Sequence, residues 1–304
     1  MSRKLQTILV AVDFSTGSRS ALDQAARLAA LHGARLHVLH VIDRDALAAL
    51  ADKHVEPFEK AVKTATEGGM RALDQWLAQA QAPAGTEVTI AIDAPLHGIL
   101  EHVKSLKADL LVAGIAGSGE NTTGAGSVAG KMARKSPVDV LLVRSGHPQP
   151  FQKIVAGIDF SPHSERVAAL AREIAAQDAA AVDFLHVWSD PGTMLPLIGP
   201  FGESGLGMAQ ATASPREELI SSLVSRLHEF VQTAAQGIQT QEALHEDANV
   251  GRGIADHARA VGADLIVMGA LGRTNLRYLF LGSTAERVLG RLPCSVLVVK
   301  PQDA

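Results

Sequence analysis

"ILVAVDFS" (residues 8–15) recurs 146 residues later as "IVAGIDFS" (residues 154–161). Each is a β-branched apolar run that ends in Asp-Phe-Ser, the pattern of a buried strand running into a turn. The repeat extends outward from there. "LHVLHVI" (36–42) matches "VDFLHVW" (182–188) at the same offset, and "ADLLVAG" (108–114) matches "ADLIVMG" (263–269) at 155. "SPVDVLLV" (136–143) matches "LPCSVLVV" (292–299) at 156. The change of offset places an insertion in the second copy, in the Gly- and Pro-bearing stretch "PGTMLPLIGPFGESGLG" (191–207). Repeats are the first thing to seek in a chain, and this one is written twice.

Between the copies "RSGHPQPFQK" (144–153) carries two prolines, a glycine and few apolar residues, so it reads as a linker. Two domains are expected, residues 1–147 and 148–304. Each alternates strand-like and helix-like segments. In the second copy Ser161 is a candidate N-cap and Pro162 the first helical residue. Val167, Leu170, Ala171 and Ile174 then follow at helical spacing. Near-continuous Val/Ile/Leu strands with helices between them predict a doubly wound parallel α/β sheet of five strands per copy, in the order 3-2-1-4-5. In that order the last strands, "VDVLLV" and "SVLVV", are apolar edges. Antiparallel pairing of the two would make one pseudo-two-fold unit. A homodimer of chains stays open.

Composition narrows the function. Apolar residues make up 47% of the 304, enough for a sizeable core, and 28 basic against 32 acidic residues leave a net charge of −4. That balance argues against a general nucleic-acid binder. No stretch approaches the ~18 apolar residues of a membrane span, and the N-terminus reads as a first strand rather than a secretory signal. The one cysteine, Cys294, cannot form an internal disulfide. A reducing, cytoplasmic setting is expected.

The second copy's glycines fall where such sheets bind ligands, at the carboxyl ends of the strands. "MGALGRTNLRYLFLGSTAERVL" (268–289) places Gly269 and Gly272 after a strand and Gly282-Ser283-Thr284 before a helix. Glycine lets backbone approach a ligand. A helix start offers unpaired N–H groups and partial positive charge, which favours phosphate. The same glycines would equally serve as turns and caps, and the residues alone leave both readings open. "GAGSVAGKM" (124–132) is no P-loop: Gly126 and Gly130 are too close, and Met132 replaces the magnesium-holding hydroxyl. "VDFST" and "IDFSP" lack the dinucleotide G-x-G-x-x-G. Twelve histidines show no tight pair of ligand motifs. There is no G-x-S-x-G elbow, and Cys294 reads as a small buried hydrophobe.

The spacing G-x2-G-x9-G-[ST], carried by Gly269, Gly272, Gly282 and Ser283, resembles the nucleotide-binding motif of the universal stress protein family. "GIDFS" and "LHV" are further features of that family, and the resemblance covers essentially the whole chain in two tandem copies. It implies a stress-response regulatory protein that binds ATP, with or without magnesium, rather than an enzyme. Asp159 would contact ribose or base, Val187 would pack near adenine, and Met268 and Gly269 would flank sugar and phosphates. Gly272, Gly282, Ser283 and Thr284 would hold phosphates, with Arg273 as a candidate cation. In the first copy Asp13, Val41, Gly114, Gly117, Gly126 and Ser127 match. Its loop is one residue short, carries Glu120 and lacks an arginine, so a weaker site is expected there. Two alternatives stay open. One is a slow ATPase, although no H-x-G-H or S-G-G-x-D-S motif is present. The other is a scaffold for hydrophobic ligands or proteins in which nucleotide binding has lapsed. There the insertion residues Met194, Leu195, Leu197, Ile198, Phe201 and Met208 would cover a pocket.

Overall fold

The computed structural model describes residues 4–115, 124–146, 150–190, 215–271 and 281–301. In the first copy the order is β1 (Thr7–Val12), α1 (Thr16–His32), β2 (Arg35–Asp43), α2 (Arg44–His54) and α3 (Phe58–Gln79), then β3 (Glu87–Asp93), α4 (Pro95–Ser105), β4 (Leu110–Gly114), α5 (Ser127–Lys135) and β5 (Asp139–Val143). The second runs β6 (Lys153–Gly157), α6 (Pro162–Asp178), β7 (Ala181–Trp188), α7 (Pro215–Ala234) and β8 (Thr240–Glu246), then α8 (Val250–Ala260), β9 (Leu265–Gly269), α9 (Ser283–Leu289) and β10 (Ser295–Val299). The insertion at 191–207 lies outside the described residues.

The ten strands among the described residues form one sheet, ordered β3-β2-β1-β4-β5-β10-β9-β6-β7-β8. Each half is therefore 3-2-1-4-5, parallel throughout. The halves meet where β5 and β10 pair antiparallel, Val296 opposite Leu142, Leu297 opposite Leu141 and Val298 opposite Val140. Two apolar edges thus become the centre of the sheet. The strands left outermost, β3 and β8, are the half-exposed, polar ones, "EVTIAID" and "TQEALHE", the kind that resists edge-to-edge association.

Alternation along the central strands divides the core. Ile8, Val10 and Val12 face α1, α3, α6 and α7, with Ile154 and Phe184 from the second copy. Leu9, Leu111 and Leu142 face the opposite layer with Val155, Ile266 and Val296, where α4, α5, α8 and α9 pack. Both apolar layers run across the two copies. Burial on both faces explains why these strands read as unbroken apolar runs.

Cations tie the halves at their seam. Arg27 of α1 forms a bidentate pair with Asp178 of α6 (2.6 and 2.9 Å), and Arg166 does the same with Asp139 (2.9 and 2.6 Å). Each copy also sends a cation across from the end of its last strand. Arg144 Nη1 donates to Leu292 O (2.8 Å), and Lys300 Nζ donates to Ala133 O (2.6 Å) and Arg134 O (3.1 Å). Lys300 therefore closes the C-terminal turn of α5, where free carbonyls and partial negative charge favour a cation.

Candidate functional site

Both first strands end in the same device. Phe14 and Phe160 adopt left-handed φ values of 62° and 59°, a conformation that costs a bulky residue about 1–3 kcal/mol. Each ring then lies against a β2-type histidine, His40 (4.6 Å) or His186 (4.5 Å). Each histidine is pinned through Nδ1 to a carbonyl at the end of the neighbouring strand, Val12 O (2.8 Å) or Ile158 O (2.7 Å). Because both copies share it, this turn belongs to the architecture. It fixes the direction in which the aspartate before it points.

In the second copy Asp159 Oδ1 accepts from Ser161 N (2.9 Å) and Ser164 Oγ (2.8 Å). The carboxylate lines a cavity of about 510 Å³ at the carboxyl ends of β6, β7 and β9. Seven residues singled out in the sequence line this one space: Asp159, Val187, Met268, Gly269, Gly282, Ser283 and Thr284. Gly272 and Arg273 lie outside the described residues. A Cβ on Gly269 would lie 3.0 Å from Leu271 O, so the chain turns tightly as it leaves β9. Gly282 N donates to Ala270 O (2.8 Å), which brings the far end of the loop back beside the strand exit. Val187 is pressed by Gly253 of α8, where a Cβ would come within 2.8 Å of its Cγ1. Gly98 bears on Val41 in the same way, at 3.1 Å.

Sequence reasoning missed four contributors, Ser161, His163, Trp188 and Arg226, which also line the cavity. Arg226 of α7 lies over the Phe160 ring, 4.3 Å from its centroid. Ser161 stands where expected, ahead of Pro162 at the start of α6. It holds the N-cap position, but its side chain makes no cap bond, and its buried Oγ has no partner among the described residues. Its counterpart Ser15 accepts from Ser18 N at 3.1 Å. Both turns read D-F-S-x-x-S, so the sequence does not tell which serine the aspartate engages: here Ser164 takes it, which leaves the capping serine over.

The first copy keeps the arrangement at Val41 and Gly126, where Gly126 N donates to Ile115 O (2.7 Å), but differs at Asp13 and Gly114. Asp13 Oδ1 is taken by Ser15 N (3.0 Å) and Ser15 Oγ (2.5 Å). A Cβ on Gly114 would stand 2.6 Å from Gly17 C and 2.8 Å from Ser18 N, so the first turn of α1 lies directly on the exit of β4. Where α1 has Gly17, α6 has the cavity-lining His163. Gly124 is wedged against α9 of the other copy, with a Cβ 2.6 Å from Leu289 O, and Ala125 N donates to that carbonyl (2.7 Å). Gly126 caps α5 before Ser127, and Gly117 lies outside the described residues. A cavity of about 520 Å³ does exist in this copy, but it opens under α2 and α3 and touches none of Asp13, Val41, Gly114, Gly126 or Ser127.

Comparison with family models matches the Universal stress protein family twice, over residues 4–144 and 150–300. The chain belongs to the universal stress protein family. A universal stress protein of Mycolicibacterium smegmatis is 26% identical over 303 residues, covering 97% of each chain. Universal stress protein Rv2005c of Mycobacterium tuberculosis is 25% identical over 316 residues, covering 98% of each. Among solved structures, a universal stress protein from Archaeoglobus fulgidus has the same fold, with a TM-score of 0.67 at 18% identity, 97% of this chain and 98% of that one being covered. Among the described residues no helix is long and apolar enough to cross a membrane. Cys294 is buried, and burial pushes its thiol up to about 12, which leaves it unreactive at neutral pH.

Proposed function

We propose that this universal stress protein is a stress-response regulator that binds ATP in its second copy and acts through occupancy rather than turnover. The convergence of Asp159, Val187, Met268, Gly269, Gly282, Ser283 and Thr284 on one 510 Å³ cavity carries the reading. That volume falls in the range of about 300–1,000 Å³ of small-molecule sites. The chemistry of the lining suits a nucleotide. Val187, Met268 and Trp188 offer apolar surface for a base, while Asp159 and the unpartnered Ser161 hydroxyl suit a ribose. Backbone at Gly282 and the hydroxyls of Ser283 and Thr284 suit phosphate, and Gly272 and Arg273 would join them. Magnesium, where the triphosphate brings it, would find one carboxylate among the described lining residues, Asp159. The single buried cysteine accords with a cytoplasmic setting.

The first copy would bind weakly or not at all, because α1 lies on Gly114 and the loop end is engaged with α9. Isothermal calorimetry with ATP tests both statements. One site per chain is expected. Gly282→Val should abolish it by placing a side chain in the phosphate path, and Gly126→Val should leave it. Two equal sites, or loss of the tighter one through Gly126, would overturn the assignment. Mass spectrometry of gently denatured protein supplies a second check: ATP or ADP supports the reading, and a lipid in its place opposes it.

A further inference from the structure

The first copy's cavity is built by α3. Ala65, Gly68, Gly69 and Ala72 stand at i, i+3, i+4 and i+7 on one helix face and form its wall. Matching α7 to α3 through Phe230 and Trp76, which pack edge-on against Phe160 and Phe14, sets these four opposite Leu219, Ser222, Leu223 and Arg226. The open space is therefore particular to the first copy. Glycine inside a helix costs about 1 kcal/mol against alanine. Gly69 has a packing reason, since its Cβ would lie 2.7 Å from Ile90 Cδ1. Gly68 has none: nothing lies within 4 Å of the Cβ it lacks.

His40 and Asp43 define the polarity of the lining. His40 Nδ1 faces Val12 O at 2.8 Å, and a carbonyl only accepts, so Nδ1 carries the proton. In the Nδ1–H tautomer Nε2 is an acceptor. That edge faces α3, with His40 Cδ2 3.7 Å from the Cβ position of Gly69. Asp43 is the one charged residue in the described lining, and the remainder is apolar apart from His40. A carboxylate in the lining disfavours an anionic head group, and the Nε2 acceptor of His40 wants a donor.

We propose that the first copy holds a second small-molecule site beneath α2 and α3, which takes a neutral amphiphile of the alkyl alcohol or alkylphenol class, its hydroxyl donating to His40 and its body lying along Ala65, Gly68 and Ala72. The first copy has then exchanged a nucleotide site for an apolar one, and the full chain senses two chemistries.

The test titrates the intact protein with 1-octanol and, separately, octanoate, by calorimetry and by amide NMR. Saturable octanol binding is expected, with shifts confined to β2, α2 and α3, and octanoate should bind at least about tenfold more weakly. Ala65→Leu/Ala72→Leu fills the cavity from a helix that tolerates leucine. It should weaken octanol at least about tenfold, leaving ATP binding by the second copy intact as the control for folding. Absence of saturable octanol binding, shifts that map to the second copy, equal binding of octanoate, or an unaffected double variant would each overturn the proposal. Were the double variant unfolded, the shift map of the unsubstituted protein would still decide.

Discussion

Ser15 and Ser161 occupy the same place in two copies of one turn, yet only Ser15 caps its helix. Replacing a working N-cap by alanine costs roughly 1 kcal/mol, so Ser15→Ala is predicted to lower stability by about that much in a denaturant titration. Ser161→Ala removes no cap bond and relieves a buried hydroxyl without a partner, a group that costs about 1–3 kcal/mol to leave unmet. Its stability should stay level or rise, while its affinity for ATP falls about tenfold. A Ser161→Ala protein that is destabilised and binds ATP normally would assign the hydroxyl to structure. That Asp159, Gly269 and Gly282 would come together was legible, because a repeated turn and a spaced glycine motif mark them. The role of Ser161 was not, because it depends on which of two serines the aspartate engages.

At the scale of elements, the order of strands and helices was open to reading. Apolar runs, caps and breakers punctuate the chain locally, and the 3-2-1-4-5 order follows from how βαβ units wind. Illegible was the closeness of α1 to β4. Gly17 and Gly114 are 97 positions apart in the sequence, and neither stands in a periodic pattern that would announce their contact. The small-residue face of α3 was equally silent, since alanine and glycine carry no chemistry of their own. The α1–β4 contact is testable. Gly114→Ala places a methyl group 2.6 Å from the backbone of Gly17, an atom that cannot rotate away. Overpacking of this kind costs about 1–3 kcal/mol, and the alanine should shift the urea midpoint accordingly without changing ATP affinity. At Gly237, with φ +83° and nothing within 4 Å, alanine meets backbone strain alone and serves as the comparison. An unaltered midpoint in Gly114→Ala would mean that α1 moves freely off the strand.

At the scale of the molecule, the pairing of β5 with β10 was foreseeable from two apolar edges, but the charges that lock it were not. Lys300 lies 167 residues from Ala133, the carbonyl it caps. Lys300 is also the seam's pH-sensitive group. It is 8% exposed, and burial pulls its pKa down to about 8, partly offset by Asp139. A lysine in the unfolded chain titrates near 10.4. Below pH 8 both states hold the proton, and the folded state bears the full cost of a buried ammonium. Between about 8 and 10.4 the unfolded state binds more protons, so this group's contribution to stability rises with pH and levels off above that window. About 2.4 units at 1.36 kcal/mol each give roughly 3 kcal/mol. Other groups titrate in the same range, so the prediction concerns a difference. The stability of the native protein minus that of Lys300→Met should climb by about 3 kcal/mol from pH 7.5 to 10.5, measured by urea unfolding at each pH. The substitution also strips Ala133 O and Arg134 O of their donor, which moves the whole difference curve up or down without changing its slope. A flat difference curve would show that Lys300 keeps an ordinary pKa and that the seam at α5 is open to water.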